Sequence, residues 1–184
     1  MIRRICVPTA SAALCGVAAL ALAAPAPAAT VSRTAGDLTV YPGQSPVADA
    51  PAGAQARVQA VETGDGRTIV TLHVTGLEPE AAYGAHAHVA PCGATGAAAG
   101  PHWQHRQDPV TPSTDPAYAN PHNELWLDLT TNSAGNGHAK AVVDWTFPSA
   151  GRPGSVIIHE KHTATGTGVA GTAGKRVACL TVPF

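Results

Sequence analysis

Charge is what this sequence has least of. Asp, Glu, Lys and Arg make up 12% of its 184 residues, 12 acidic against 11 basic, and the basic ones form no stripe. A protein that holds nucleic acid needs such a footprint, so no nucleic-acid partner is expected. Helical periodicity is missing too. Outside an apolar run at the N-terminus, no window repeats apolar residues at three- and four-residue spacing. No internal repeat is evident, which sets aside solenoids and propellers. Cysteine is scarce, and two of the four, Cys6 and Cys15, lie in the N-terminal apolar run.

That run reads as a secretory signal peptide over residues 1–29. Met1-Ile2-Arg3-Arg4 gives a positive start, Ile5 to about Ala24 is apolar, and Ala26-Pro27-Ala28 offers the small residues of a cleavage site. A secreted or cell-envelope location is the expectation, with no membrane span left after cleavage. An uncleaved anchor is the alternative. Leu14 stands where a lipoprotein signal needs a small residue before its cysteine. Arg3 and Arg4 would leave with the signal, taking Lys plus Arg from 11 to 9 against 12 acids. The remaining Cys92 and Cys179 most simply form one disulfide in an oxidising compartment.

Residues 30–54 are rich in Ala, Pro, Gly and Ser and read as a flexible leader into a single domain over 55–184. That domain reads as all-β. Residues 57–62 and 68–74 alternate around the Gly64-Asp65-Gly66 turn, a hairpin pattern. Further strands are expected at 81–89, 123–130, 138–146, 154–159 and 175–182. In 123–130, Leu125, Leu127 and Leu129 share one face, and Glu124, Trp126 and Asp128 the other. Short strands punctuated by Gly and Pro argue for a sandwich or barrel.

Two features stand out from this pattern. His86-Ala87-His88 places two imidazoles at i and i+2, on one face of a strand. The stretch from Ala90 to Pro121 has no clear strand yet carries Cys92, His102, Trp103 and His105, and loops of that length in compact domains are commonly functional. With His159 at the end of Gly154-Ser155-Val156-Ile157-Ile158-His159, four neutral imidazoles suit copper or zinc, and a near-planar nitrogen set suits Cu(II). With both cysteines paired, no thiolate remains for a blue-copper site. A cupin would place a glutamate shortly after its His-x-His, where this chain has Val89-Ala90-Pro91-Cys92.

These residues resemble the copper/zinc superoxide dismutase family. Gly84-Ala85-His86-Ala87-His88 is similar to its first signature, Gly100-Pro101-His102 to the segment of its bridging histidine, and Ser155-Val156-Ile157-Ile158-His159-Glu160-Lys161 to the strand of its last copper ligand. Gly171-Thr172-Ala173-Gly174-Lys175-Arg176-Val177-Ala178-Cys179 is similar to its C-terminal signature. The resemblance covers about residues 55–184. It implies a Greek-key β-barrel or sandwich with a long metal-site loop, copper on His86, His88, His102 and His159, and a Cys92–Cys179 disulfide. It also implies that Arg176 holds the incoming anion and that His102 takes part in proton delivery. The implied reaction converts superoxide to oxygen and hydrogen peroxide through a Cu(II)/Cu(I) cycle. The alternative is a dismutase-like copper-binding or structural domain without turnover.

The sequence departs from the family most at the zinc site. His105 comes three residues after His102, His122 falls near the place of the third ligand, and Leu125 occupies that of the aspartate. Thr163 stands near the aspartate that couples the two metals. Zinc is therefore left open, and copper-only, exported bacterial members are the closer analogue. In those a carboxylate orients the bridging histidine. Glu124 is the first candidate here and Asp128 the second. His105 is a zinc ligand, a neighbour of the ligands or a bystander. His73 and His138 read as solvent-facing, and Trp103, Trp126 and Trp145 as packing residues. Copper binding is expected to fail as pH falls through the imidazole range.

Overall fold

The computed structural model describes residues 28–45 and 48–184. The expected signal peptide falls almost wholly outside them. Nine strands are described: β1 (Thr30–Asp37), β2 (Thr39–Val40), β3 (Gln55–Glu62), β4 (Thr68–Thr75), β5 (Ala82–His88), β6 (Leu129–Thr130), β7 (Gly137–Val143), β8 (Ser155–His159) and β9 (Arg176–Thr181). They make two antiparallel sheets, ordered β1-β3-β4-β7 and β2-β9-β8-β5-β6. The chain crosses between sheets after β1, β2, β4, β6 and β7, so each sheet interleaves distant segments, as sandwich folds do. The only helical element among the described residues is a single 3₁₀ turn at Gly96–Ala99. No helix among them is long and apolar enough to cross a membrane.

The core lies between the sheets. Val58, Val70, Leu72 and Val74 come from one sheet and Tyr83, Ala85, Ala87, Val156, Ile158, Val177 and Leu180 from the other, all buried. Period-two alternation on β5 therefore sends Ala85 and Ala87 inward and His86 and His88 to the opposite face. That face is buried as well, because the loops over 89–128 and 160–175 cover it.

Of the expected barrel or sandwich the chain forms the sandwich: β6 has only two residues and pairs with β5 alone, and the chain then leaves for β7 in the other sheet, so no barrel closes. Two other expectations need correction. Within the expected leader over 30–54, residues 30–37 and 39–40 are paired strands. β1 pairs with β3 across its whole length, and β2 pairs with β9. Main-chain bonding holds β1, whose side chains are mostly exposed, so the composition gave no apolar alternation to read. The strand expected over 123–130 is regular only at 129–130. The rest runs beside β5 through the Trp126–His86 bridge and the Leu127 N–H bond to Ala85 O at 2.7 Å. Its Leu125, Leu127 and Leu129 do point into the core.

Candidate metal centre

His86, His88, His102 and His159 each present one ring nitrogen to a common point, and these four atoms lie within 4.8 Å of one another. β5 supplies the first two and β8 the last. In the β8–β9 pairing a register shift between Ile158 and His159 sets His159 opposite Arg176, while regular pairing with β5 sets it opposite Gly84. Bulges of this kind re-aim side chains beside functional sites. Gly84 is required there, since a Cβ would sit 2.5 Å from the Lys161 carbonyl of the covering loop. His102 arrives from the long loop through its bridge with His88.

The outward nitrogen of every ring has a defined partner, and this fixes the inward one. His88 Nδ1 lies 3.0 Å from Gly100 O and His159 Nδ1 3.3 Å from Gly174 O. A carbonyl only accepts, so both Nδ1 atoms carry the proton and both Nε2 atoms carry a lone pair. Yet those two Nε2 atoms sit 3.4 Å apart. Thr163 donates its hydroxyl to Asp128 Oδ1 at 2.6 Å and its N–H to Asp128 Oδ2 at 2.7 Å. Its Oγ1 therefore accepts from His86 Nε2 at 2.6 Å. That leaves His86 Nδ1 unprotonated, and it is buried with no hydrogen-bond partner. His102 Nδ1 donates to Glu124 Oε2 at 2.9 Å. Four lone pairs thus converge where only a cation relieves their repulsion, and the residues fit an imidazole-bound metal.

Burial shapes the electrostatics. Desolvation, with His102 and Arg176 nearby, pushes His88 down to about 2. Desolvation with His102 takes His159 to about 3, and His86 lies well below the usual imidazole range, again chiefly by desolvation. These three nitrogens stay free of protons far below pH 6.5, so the expected loss of metal through the ordinary imidazole range shifts to lower pH for them.

Glu124 is 1% exposed and held on three sides. Gln104 Nε2 donates to Oε1 at 2.8 Å, and Trp126 Nε1 to Oε2 at 2.7 Å, the oxygen that also accepts from His102. Glu124 thus takes the position expected of it. Asp128 does not face His102; through Thr163 it supports His86 instead. The hydroxyl of Thr163 and the carboxylate of Asp128 together stand behind that ring, a pairing that the sequence reading missed by treating Thr163 as a loss. Gln104 and Trp126 were missed too, although alternation had put Glu124, Trp126 and Asp128 on one face.

Arg176 donates from Nη1 to Gly96 O at 2.7 Å. Gly96 has no room for a Cβ, which would meet Arg176 Cβ at 2.7 Å. Burial lowers the Arg176 pKa and Tyr41 opposes this; a guanidinium remains charged at working pH. Arg176, His102, His159 and Glu124 line one open cavity of about 340 Å³. Cys92 and Cys179 are bonded, which ties the loop bearing Gly96 and His102 to β9. His105 and His122 are elsewhere. His105 is exposed and stacks on Trp145 at 4.9 Å, and the exposed His122 accepts from Trp145 Nε1 through its carbonyl. Trp103 and Trp145 pack in the core as expected.

A β-sandwich that gathers four imidazoles, three of them buried, outside its core defines a histidine-rich metal-binding protein. The chain belongs to the copper/zinc superoxide dismutase family, whose model matches residues 53–182. Among solved structures it is similar to the Cu/Zn superoxide dismutase from Brucella abortus, with 19% identity and a TM-score of 0.56 over 82% of this chain and 99% of that one. It is also similar to the clock protein EA4, with 20% identity and a TM-score of 0.52 over 82% of this chain and 93% of that one. At such identities the structures speak to the fold alone. No curated protein sequence matches.

Proposed function

We propose that this chain is an exported, copper-dependent superoxide dismutase. The observation that carries the reading is the convergence of four unprotonated imidazole nitrogens, His86 Nδ1 among them buried and unpartnered. His86, His88, His102 and His159 would hold the metal. An all-nitrogen set of this kind suits copper, which when bound supplies the one-electron couple that dismutation needs. The protein does the rest. The cavity beside His102 and His159 admits a small anion, and Arg176 on its wall attracts and orients that anion with a fixed fork of donors. His102 keeps its Nδ1 proton against Glu124, so its Nε2 faces the cluster. It is also the most exposed of the four rings, at 18% of its side chain, and so the one through which a proton reaches the site from solvent. The Cys92–Cys179 bond and the signal-like N-terminus support export.

The test is superoxide consumption by the purified, copper-loaded chain, with Arg176→Ala and Arg176→Lys alongside. Turnover should fall about tenfold to a hundredfold in Arg176→Ala with copper retained, and less in Arg176→Lys, because charge survives but the fork does not. Copper binding without turnover would instead make this a non-catalytic member of the family.

A further inference from the structure

The outer face of the four-stranded sheet carries two histidines that the metal centre does not use. His73 of β4 and His138 of β7 are direct register partners. Their ring centroids lie 6.1 Å apart with the planes 23° from parallel. Both are exposed, and neither makes a hydrogen bond or ion pair with any described residue. We propose that His73 and His138 form a second, labile site for an imidazole-preferring divalent ion, on the sheet face remote in the fold from the four-histidine cluster.

Geometry permits it. At a metal–nitrogen distance of about 2.0–2.1 Å, an ion sits about 3.2 Å from each ring centroid. Two rings sharing one ion then have centroids between about 4.5 Å for adjacent and about 6.4 Å for opposed positions. The observed separation lies inside that range. Opposed positions on neighbouring antiparallel strands fix the two Cβ atoms about 4.5–5.5 Å apart, so only side-chain rotation is needed. Water completes the coordination.

The surroundings select the ion. Arg57 of β3 is the register partner of His73 on its other side, and Lys140 follows His138 on the same face. Arg33 stands one row along, opposite Gln59. The nearest carboxylate row is that of Asp37, which accepts from Gln55 Nε2 at 2.9 Å. A hard cation seeking oxygen ligands finds none to spare here. Ions whose bond to imidazole nitrogen outweighs the local repulsion, namely Cu(II), Ni(II) and Zn(II), remain. The same repulsion keeps affinity modest and the ion exchangeable.

The experiment fills the four-histidine centre of the full chain with Cu(II) and then titrates Ni(II) by calorimetry. One further equivalent should bind. His73→Ala and His138→Ala should each weaken it by at least about tenfold, and the double variant little further, since either loss ends chelation. Arg57→Gln should tighten it several-fold, and His122→Ala, which removes another exposed histidine, should leave it unchanged. The first copper equivalent and any dismutation should be the same in all four single variants, so this result stands apart from the catalytic reading. Absence of Ni(II) binding to the wild-type chain, or wild-type affinity in His73→Ala or His138→Ala, overturns the proposal.

Discussion

The two sheets share a core and differ in almost everything else. In the four-stranded sheet β1, β3 and β4 each run eight residues in unbroken register, and the outer face meets water. In the five-stranded sheet the longest strand has seven residues, β8 shifts register at His159, and loops bury the outer face. A face under loops must satisfy every polar group it covers. It does so with carbonyls behind His88 and His159, Thr163 and Asp128 behind His86, and Glu124 behind His102. The fully buried imidazole nitrogen left without a hydrogen-bond partner, His86 Nδ1, faces the cluster. The regular sheet carries none of the four clustered histidines, and the irregular one carries three of them on its strands.

The sharpest way to break that division is to substitute one residue in each sheet. His159→Ala removes one of four converging nitrogens and should abolish dismutation and cut copper affinity by orders of magnitude. Leu72→Ala, at a fully buried position of β4, should cost about 2–5 kcal/mol of stability while the surviving folded protein keeps its copper. Metal analysis and denaturant unfolding on both variants decide it. A Leu72→Ala protein that folds but loses copper would merge the two roles.

Acid should act on the site sheet next. His86, His88 and His159 have pKa values lowered by folding, so above pH 6.5 they contribute nothing to pH dependence. Below it the unfolded chain takes up protons that the folded chain refuses, and stability falls until the folded values near 3 and 2 are reached. Each histidine contributes up to about 1.4 kcal/mol per pH unit. Metal-free protein should therefore weaken steeply between pH 6 and about 4 in urea titrations, and copper should add stability on top of that slope rather than flatten it, because the folded rings are already free of protons. A metal-free protein whose stability stays flat from pH 6 to 4 would show that burial does not keep these rings free of protons.

The disulfide tests how the site loops are held. It closes a loop of 87 residues, for which chain entropy gives at most about 4–5 kcal/mol. Its position beside the Gly96–Arg176 contact adds a local effect. Reduction should lower copper affinity and activity together, while the far-UV circular dichroism of the strands persists. Unchanged copper retention after confirmed reduction would show that packing alone organises His102 and Arg176.

The part of this site that was legible in the sequence is the part encoded by short-range pattern. The His-x-His of β5 and the alternation of Leu125, Leu127 and Leu129 follow from the period of a strand. The family-like segments around His102 and His159 pointed to the remaining candidate ligands, and the segment around Arg176 to the cavity wall. What was not legible depends on pairing at a distance. β1 has no apolar alternation because its hold is main-chain bonding to β3. Thr163 looked like a missing aspartate because its partner, Asp128, lies 35 residues away in the chain. Gln104 and Trp126 have no motif; they matter only because folding brings their N–H groups to one carboxylate.

Trp126 offers the finest test of the comparison, since it bridges to β5 of the site sheet yet is not among the four clustered histidines. Its indole lies 6.0 Å from the His86 ring, centroid to centroid, and donates to Glu124 Oε2. Trp126→Phe keeps an aromatic ring there and removes only the N–H. Glu124 Oε2 would then answer to His102 alone. A hydrogen bond to a charged group contributes about 1.5–3 kcal/mol, and because Trp126 is half-buried, water can replace part of it. Global stability should therefore change little. Copper affinity should fall only a few-fold, less than in Glu124→Gln, which weakens the acceptor itself. The distinguishing readout is the electron paramagnetic resonance spectrum of the copper-loaded protein: freeing Glu124 should alter how His102 sits and so shift the spectrum. An unaltered spectrum and affinity in Trp126→Phe, with a clear change in Glu124→Gln, would mean that Gln104 and burial alone hold the carboxylate in place.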